Sequence, residues 1–331
     1  MLKKNRILSG MRPTGKLHLG HLVGALDNWV ELQKNNECFF MVADWHALMS
    51  EYEAPSVICK SVLDNVADWL AAGIDPGKST IFIQSQVAEH LELYMILSCL
   101  VPLGWLERCP TYKEQLREQS ERDLKTYGFL GYPVLQAADI LLYKASRVPV
   151  GEDQLPHLEL TREIARRFNG LYKKKVFPDP QALLTASPRL LGLDNRKMSK
   201  SFGNTVNLSD DAETIRKKIQ NMVTDSKRIK LTDPGHPDVC NVFSYYKVFL
   251  REREKEAFNW CKDAQKGCTE CKRILAGVII DWLKAHQEKR EPFIKDKEQL
   301  KNILQEGCRR ASGVAGQTIG EIKKAIGLVY E

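Results

Sequence analysis

Two apolar runs without alternation, "CFFMVADWHAL" (38–48) and "STIFIQS" (79–85), restrict the folding options of this chain more than any other feature. A strand with one wet face alternates polar and apolar residues. A continuous apolar run is buried on both faces, which places it in a parallel sheet clad by helices on each side. Between the runs, "SVICKSVLDNVADWLAAG" carries apolar residues at helical spacing and stops at Gly73, suitably placed for a C-cap. This βαβ rhythm predicts an α/β fold for the N-terminal half. A second character begins near residue 206. "SDDAETIRKKIQNMV" opens on Ser209 and two acids, a favourable helix start, and the pattern stays helical to the end. A chain of 331 residues can hold two domains. We expect an α/β domain over 1–205 and an all-helical one over 206–331, whose last helix packs back on the first.

Composition excludes some classes. No apolar run approaches the ~18 residues that cross a bilayer, and "MLKKNRILSG" lacks the apolar segment of a secretion signal. The expectation is a cytoplasmic protein without a membrane partner. The net charge is +7, with basic residues bunched in "LYKKKVF", "IRKKIQ", "SKRIKL" and "CKRIL". Any one run suits a solvated helix face. Together they are compatible with a polyanion such as RNA.

Two motifs carry chemistry. In "GMRPTGKLHLGHLVGAL" a strand runs into a turn containing glycine and proline, and a helix begins near Leu19. Gly10, Gly15 and Gly20 allow close backbone approach, the helix start offers N–H groups to phosphate, and His18 and His21 can face the same phosphate. In "RKMSKSFGN" Lys197 and Lys200 flank a serine, with Gly203 soon after: a mobile cationic loop suited to a triphosphate. Either stretch alone also fits a structural corner or a solvated basic loop.

The pairing of H-x-G-H with K-M-S-K-S about 180 residues later is the signature of class I aminoacyl-tRNA synthetases. With "GYPVLQAADILLY", "VPVGEDQLPHLELTREIARRFN" and "VTDS", the chain resembles the bacterial tryptophanyl-tRNA synthetases from its N-terminus to beyond residue 225. The resemblance implies a Rossmann-type parallel-sheet catalytic domain and a helical anticodon-binding domain. It also implies activation of L-tryptophan with Mg2+-ATP, transfer to tRNA(Trp), and a homodimer.

Carried over residue by residue, it implies that Asp139 accepts the indole N–H. A helix N-cap is the alternative role for Asp139. Tyr132 and Gln154 lie near the ammonium and carboxylate of tryptophan, and Gly10, His46 and Gln136 line its pocket. ATP falls to Arg12, Pro13, Thr14, Gly20 and His21. Gly151, Glu152 and Asp153 hold the ribose; Leu190, Met198, Ser199 and Ser201 join Lys197 and Lys200 in the ATP site. His18, His21, Lys197 and Lys200 are the expected catalytic groups. The chain departs from many relatives at Arg12 and Thr111, where glutamine is found, and at Gln136, where methionine is found. A tyrosyl-tRNA synthetase, a non-aminoacylating nucleotidyl transferase and an RNA-binding paralogue are the rivals.

Four of nine cysteines fall within 240–271 as C-x20-C-x6-C-x2-C: Cys240, Cys261, Cys268 and Cys271. Spacing alone leaves scattered core thiols, tetrathiolate Zn2+ and a [4Fe–4S] cubane open. Some bacterial members of the family carry an iron–sulfur cluster on a similar pattern with a longer first gap, which favours the cubane here.

Overall fold

A computed structural model describes residues 5–109, 125–184 and 190–329. Five parallel strands form one sheet: β1 (Arg6–Met11), β2 (Glu37–Val42), β3 (Ser79–Ile83), β4 (Arg147–Val150) and β5 (Gln181–Leu184). Their spatial order is β3-β2-β1-β4-β5. β1 pairs with β2 in register from Arg6↔Glu37 to Met11↔Val42, and with β4 on its other side. The chain builds outward to β3, then crosses β1 to build the other half. At such a reversal the loops leaving the two central strands diverge and open a crevice at their C-terminal ends.

Alternate residues of the strands feed two cores. Ile7, Phe40, Val42 and Ile81 face one cluster; Leu8, Phe39, Met41 and Phe82 face the other. The helices Ser56–Ala72 and Cys268–Lys295 share the first cluster. The helices Glu89–Ser98, Tyr132–Leu142, Leu155–Leu171 and Lys297–Ile326 share the second. Gly73 ends its helix at φ 109, the left-handed cap the sequence marks.

The first apolar run departs from expectation. Only Glu37–Val42 is strand; Asp44–Glu51 is a helix, initiated where the Asp44 carboxylate accepts the Trp45 N–H. His46 therefore sits on the first turn of a helix that springs from the end of β2. The helix Ala212–Gln220 is capped by Asp211, which accepts the Thr214 N–H, and not by Ser209. Asp139 lies inside the helix Tyr132–Leu142, so it is no N-cap. Among the described residues no strand follows β5, and no helix is long and apolar enough to cross a membrane.

The helix Lys297–Ile326 covers the exposed edge of the sheet. Arg310 donates to the carbonyls of Pro76 (2.9 Å) and Ser79 (3.2 Å), and the Ile83 N–H reaches Cys308 Sγ at 3.4 Å. Gly307 makes the approach possible, since a Cβ there would collide with the Ile81 carbonyl. Gly307→Ala should lower stability by about 1–3 kcal/mol, the usual cost of overpacking, in a thermal or denaturant melt. An unchanged midpoint would contradict the contact.

Candidate active site

A cavity of about 490 Å³ opens at the crevice, between the ends of β1 and β4. Its lining includes Gly10, Arg12, Thr14, His21, His46 and Tyr132, and also Gln136, Asp139, Gly151, Asp153, Gln154 and Lys197. Thus twelve of the residues singled out for ATP, tryptophan or catalysis meet in one place. Pro13, His18, Gly20, Glu152, Leu190, Met198, Ser199 and Lys200 stand outside the lining, and the Ser201 side chain and Thr111 lie outside the described residues.

β1 leads straight into the turn Arg12–Gly15, where the Thr14 N–H donates to the Arg12 carbonyl at 2.9 Å. Gly15 has φ +99, a conformation that favours glycine, and its N–H donates to Ser61 Oγ at 2.9 Å. The chain after the cationic loop then pairs with the chain after this turn: Leu19 N–H donates to the Val206 carbonyl (3.0 Å) and Leu208 N–H to the Leu17 carbonyl (2.9 Å). The two motifs, remote in sequence, are thereby stitched together.

The His18 and His21 rings lie against each other, centroids 3.8 Å apart and planes tilted by 46°. The His18 N–H donates to His21 Nδ1 at 3.3 Å, so neutral His21 carries its proton on Nε2. Burial, reinforced by Lys200, lowers His18 to about pKa 3. Burial also pushes His21 well below the ordinary value, with help from His18, Lys200 and Arg12. Both imidazoles are neutral hydrogen-bonding groups at neutral pH.

The cationic loop is shaped by Asn204. Its Oδ1 accepts the Ser199 N–H (2.9 Å), and its Nδ2 donates to Asp194 Oδ1 (2.7 Å) and the Lys197 carbonyl (3.1 Å). The loop folds onto the turn through Lys200, whose Nζ donates to the carbonyls of Thr14 (3.1 Å) and Gly15 (3.0 Å). Met198 packs at Gly20, where a Cβ would lie 3.1 Å from its sulfur. Burial first, then the Arg12 guanidinium, lowers Lys200 to about pKa 8, against the partial support of Glu51, Asp64 and Asp68.

The opposite wall is built around Asp139, only 2% exposed. Its Oδ2 meets His46 Nε2 at 2.7 Å and its Oδ1 meets His90 Nδ1 at 2.6 Å. Gln84 Nε2 donates to both oxygens, at 2.8 and 3.0 Å. Burial works against the anion, but the charges and hydrogen bonds of His46 and His90 outweigh it and hold the carboxyl below its ordinary range. Met41, Ala43, Ile140, Val148 and Val150 supply the apolar lining around it. Tyr132 meets the His46 ring edge-on at 4.7 Å. Gln154 Oε1 accepts from His157 Nδ1 at 3.1 Å, and Gln136 Oε1 is buried without a protein partner. Gln84 and His90 are functional neighbours the sequence reading missed. Their only signal is their placement just after β3, at the carboxyl end of the sheet.

The four cysteines lie apart from this cavity. Cys240 caps the helix Asn241–Phe249, Cys261 ends the helix Glu254–Lys262, and Cys268 and Cys271 begin Cys268–Lys295. All four are half-buried free thiols. They influence one another: burial, then Cys240 and Cys268, raises Cys261, while burial lifts Cys271 to about pKa 11 with contributions from Cys240 and Cys261. Among the described residues, however, no three His, Cys, Asp or Glu side chains are grouped closely enough to hold a metal ion. The convergence anticipated from the spacing is therefore incomplete among the described residues.

The Lys200 environment yields a direct check. Its charge is present below about pH 8 and lost above it. Acylation by a small anhydride, followed across pH by peptide mass spectrometry, should reach half-maximum for Lys200 near pH 8. A midpoint near the free-lysine value of about 10.4 would contradict the burial described.

Known proteins share this arrangement. The family of class I tRNA synthetases for tryptophan and tyrosine (W and Y) matches residues 2–284. The tryptophan–tRNA ligase of Thermotoga maritima is 49% identical, over 98% of this chain and 100% of its own length. That of Ralstonia nicotianae is 42% identical, over 98% and 99%. A solved tryptophanyl-tRNA synthetase from Campylobacter jejuni, complexed with ADP and tryptophan, has a TM-score of 0.87 at 35% identity, covering 97% of this chain and 99% of that one. With the signature motifs stitched together at the switch point, the chain belongs to the class I aminoacyl-tRNA synthetases, among the tryptophanyl-tRNA synthetases.

Proposed function

We propose that in this tryptophan–tRNA ligase the cavity receives the indole against Asp139 and ATP along the Arg12–Gly15 turn. The observation that carries the assignment is the buried carboxylate set among the apolar Met41, Ala43, Ile140, Val148 and Val150. Indole has one donor and no acceptor, so a selective pocket needs one fixed acceptor. Phenylalanine would leave that acceptor unpaired, which costs binding steeply. Tyr132 and Gln154 face the ammonium and carboxylate of the substrate, and the unpartnered Gln136 Oε1 offers the ammonium another acceptor.

Catalysis then rests on positioning and charge. The tryptophan carboxylate attacks the α-phosphorus in line, and the bond to pyrophosphate breaks. The terminal adenosine hydroxyl of tRNA(Trp) next attacks the activated carbonyl, and AMP leaves. His21 donates from Nε2 to a phosphate oxygen while His18 buttresses its ring. Lys197 and Lys200 take up the negative charge developing on the leaving pyrophosphate. Gly151 and Asp153 meet the ribose: a Cβ at 151 would lie 2.6 Å from Asp153 Oδ1, so glycine keeps that carboxylate against the backbone. Magnesium enters with ATP, held chiefly by phosphate oxygens, as is usual for this ion.

Residues 206–331 form the tRNA-reading part, and the protein works as a cytoplasmic homodimer. Met95 and Leu103, more than 60% exposed, suit a face covered by a second copy. For the four cysteines we favour a [4Fe–4S] cluster over Zn2+, held by Cys240, Cys261, Cys268 and Cys271. Cys261 and Cys271 are raised first by burial and further by neighbouring thiols, and a bound cation relieves this by taking them as thiolates. Such a cluster would brace three helix ends of the tRNA-reading part, away from the reacting atoms.

Amino-acid-dependent ATP–pyrophosphate exchange tests the assignment. Tryptophan should support exchange and tyrosine should not, and Asp139→Asn should lower kcat/KM for tryptophan by roughly 100-fold. Exchange driven equally by tyrosine, or unaffected by Asp139→Asn, would overturn it. Anaerobic purification tests the cluster: brown protein absorbing near 400 nm, bleached when Cys268 and Cys271 are replaced by serine, is the expected result. Colourless, zinc-loaded protein would end the iron–sulfur assignment.

A further inference from the structure

The Asp139 carboxylate has a second face, turned away from the cavity. Oδ2 contacts His46, which lines the cavity; Oδ1 contacts His90, which does not. Behind His90 stands Tyr143, with His90 Nε2 and the Tyr143 hydroxyl 2.8 Å apart. His90 and Tyr143 are both fully buried, so neither has water to turn to. One hydrogen-bond direction follows. An ionised carboxylate only accepts, so His90 Nδ1 donates to it, and the tyrosine hydroxyl gives the other ring nitrogen a polar partner. Burial, with Asp139 nearby, raises the Tyr143 phenol well above its ordinary value, so the hydroxyl keeps its proton. The rings are held from outside: Phe82 stacks on His90 at 5.9 Å, and Phe39 stacks on Tyr143 at 4.7 Å.

We propose that His90, held at its far edge by Tyr143, is a positioning residue for amino-acid selection: with Gln84 it occupies Oδ1 and the inner edge of the Asp139 carboxylate, leaving Oδ2 aimed into the cavity for an N–H donor. A carboxylate has about four acceptor positions. Oδ1 already accepts His90 and the shorter Gln84 contact. Oδ2 holds His46 and only the longer, 3.0 Å arm of Gln84, so the weakest-held position is the one beside the cavity. Without His90, Oδ1 would be short of a donor. The carboxylate would then be free to turn or to take a proton, and either change spoils a fixed acceptor for indole. The proposal rests on the reading of the cavity as the tryptophan site.

The test compares pyrophosphate exchange with L-tryptophan and with L-3-benzothienylalanine, which has the same shape but sulfur in place of the indole N–H. The variants are His90→Leu, His90→Asn and Tyr143→Phe. Asparagine can place an amide N–H where Nδ1–H was, so it is the rescuing variant. In His90→Leu, kcat/KM for tryptophan should fall roughly tenfold or more, mainly through KM, while the analogue changes less than about threefold. The preference for tryptophan thus shrinks; His90→Asn restores most of it, and Tyr143→Phe loses part of it. An equal loss on both substrates, or a preference unchanged in all three variants, overturns the role of His90. Should His90→Leu fail to fold, Tyr143→Phe and His90→Asn decide by the same ratio. Should the wild type itself treat the two substrates alike, Asp139 is not the indole acceptor, and the proposal falls together with that reading.

Discussion

One buried negative charge organises the carboxyl end of this sheet. Asp139 comes from the helix Tyr132–Leu142, His46 from the helix after β2, Gln84 from the turn after β3 and His90 from the helix beyond it. A carboxylate 2% exposed survives ionised only with most of its lone pairs taken, and here three side chains take all but the weakest-held position. The same contacts draw four elements to fixed distances around the cavity. Removing one partner from a buried charged group of this kind costs about 3–5 kcal/mol, because the remainder stays buried and unpaired. The group proposed to select the substrate also holds the pocket in shape.

The other wall is organised by the opposite problem. Arg12, Lys197 and Lys200 gather on one side of the crevice, with Glu51, Asp64 and Asp68 only partly offsetting the loss of charge at Lys200, and the two histidines beside them respond by staying neutral. Lys200 makes do with the carbonyls of Thr14 and Gly15, partial charges at the end of a glycine turn. A triphosphate is the natural counter-charge for such a wall. Its arrival would restore full charge to Lys200 and draw the cationic loop over it. The parallel sheet places the two walls on either side of one crevice, and the reaction needs both: a fixed acid-side acceptor for the amino acid and a cation-rich cradle for the nucleotide.

Much of this was legible in the sequence, for identifiable reasons. Continuous apolar runs announced buried parallel strands, and Gly73 announced its helix end, because both are local consequences of burial and backbone freedom. The two signature motifs pointed to one crevice through their pairing, since either alone also fits a structural corner or a solvated basic loop. What escaped depended on tertiary contact. The run 38–48 is apolar throughout, so nothing in its periodicity marks the change from strand to helix after Val42. Gln84 and His90 are ordinary polar residues in sequence and become a relay only when β3 lies beside β2. Gly307 looks like an interruption of a helix until Ile81 is seen against it. The cysteine spacing suggested a ligand set, and the fold brings the four thiols into mutual influence without closing them into a metal site.

The central claim is that Asp139 is an ionised acceptor awaiting an N–H donor. The most direct measurement is the side-chain carboxyl resonance of Asp139 in protein labelled with 13C-aspartate, assigned by its loss in Asp139→Asn. With its pKa held below the ordinary range, the signal should remain that of a carboxylate throughout neutral pH and move when tryptophan is added. A protonation step in the neutral range, or a resonance indifferent to tryptophan, would contradict the account.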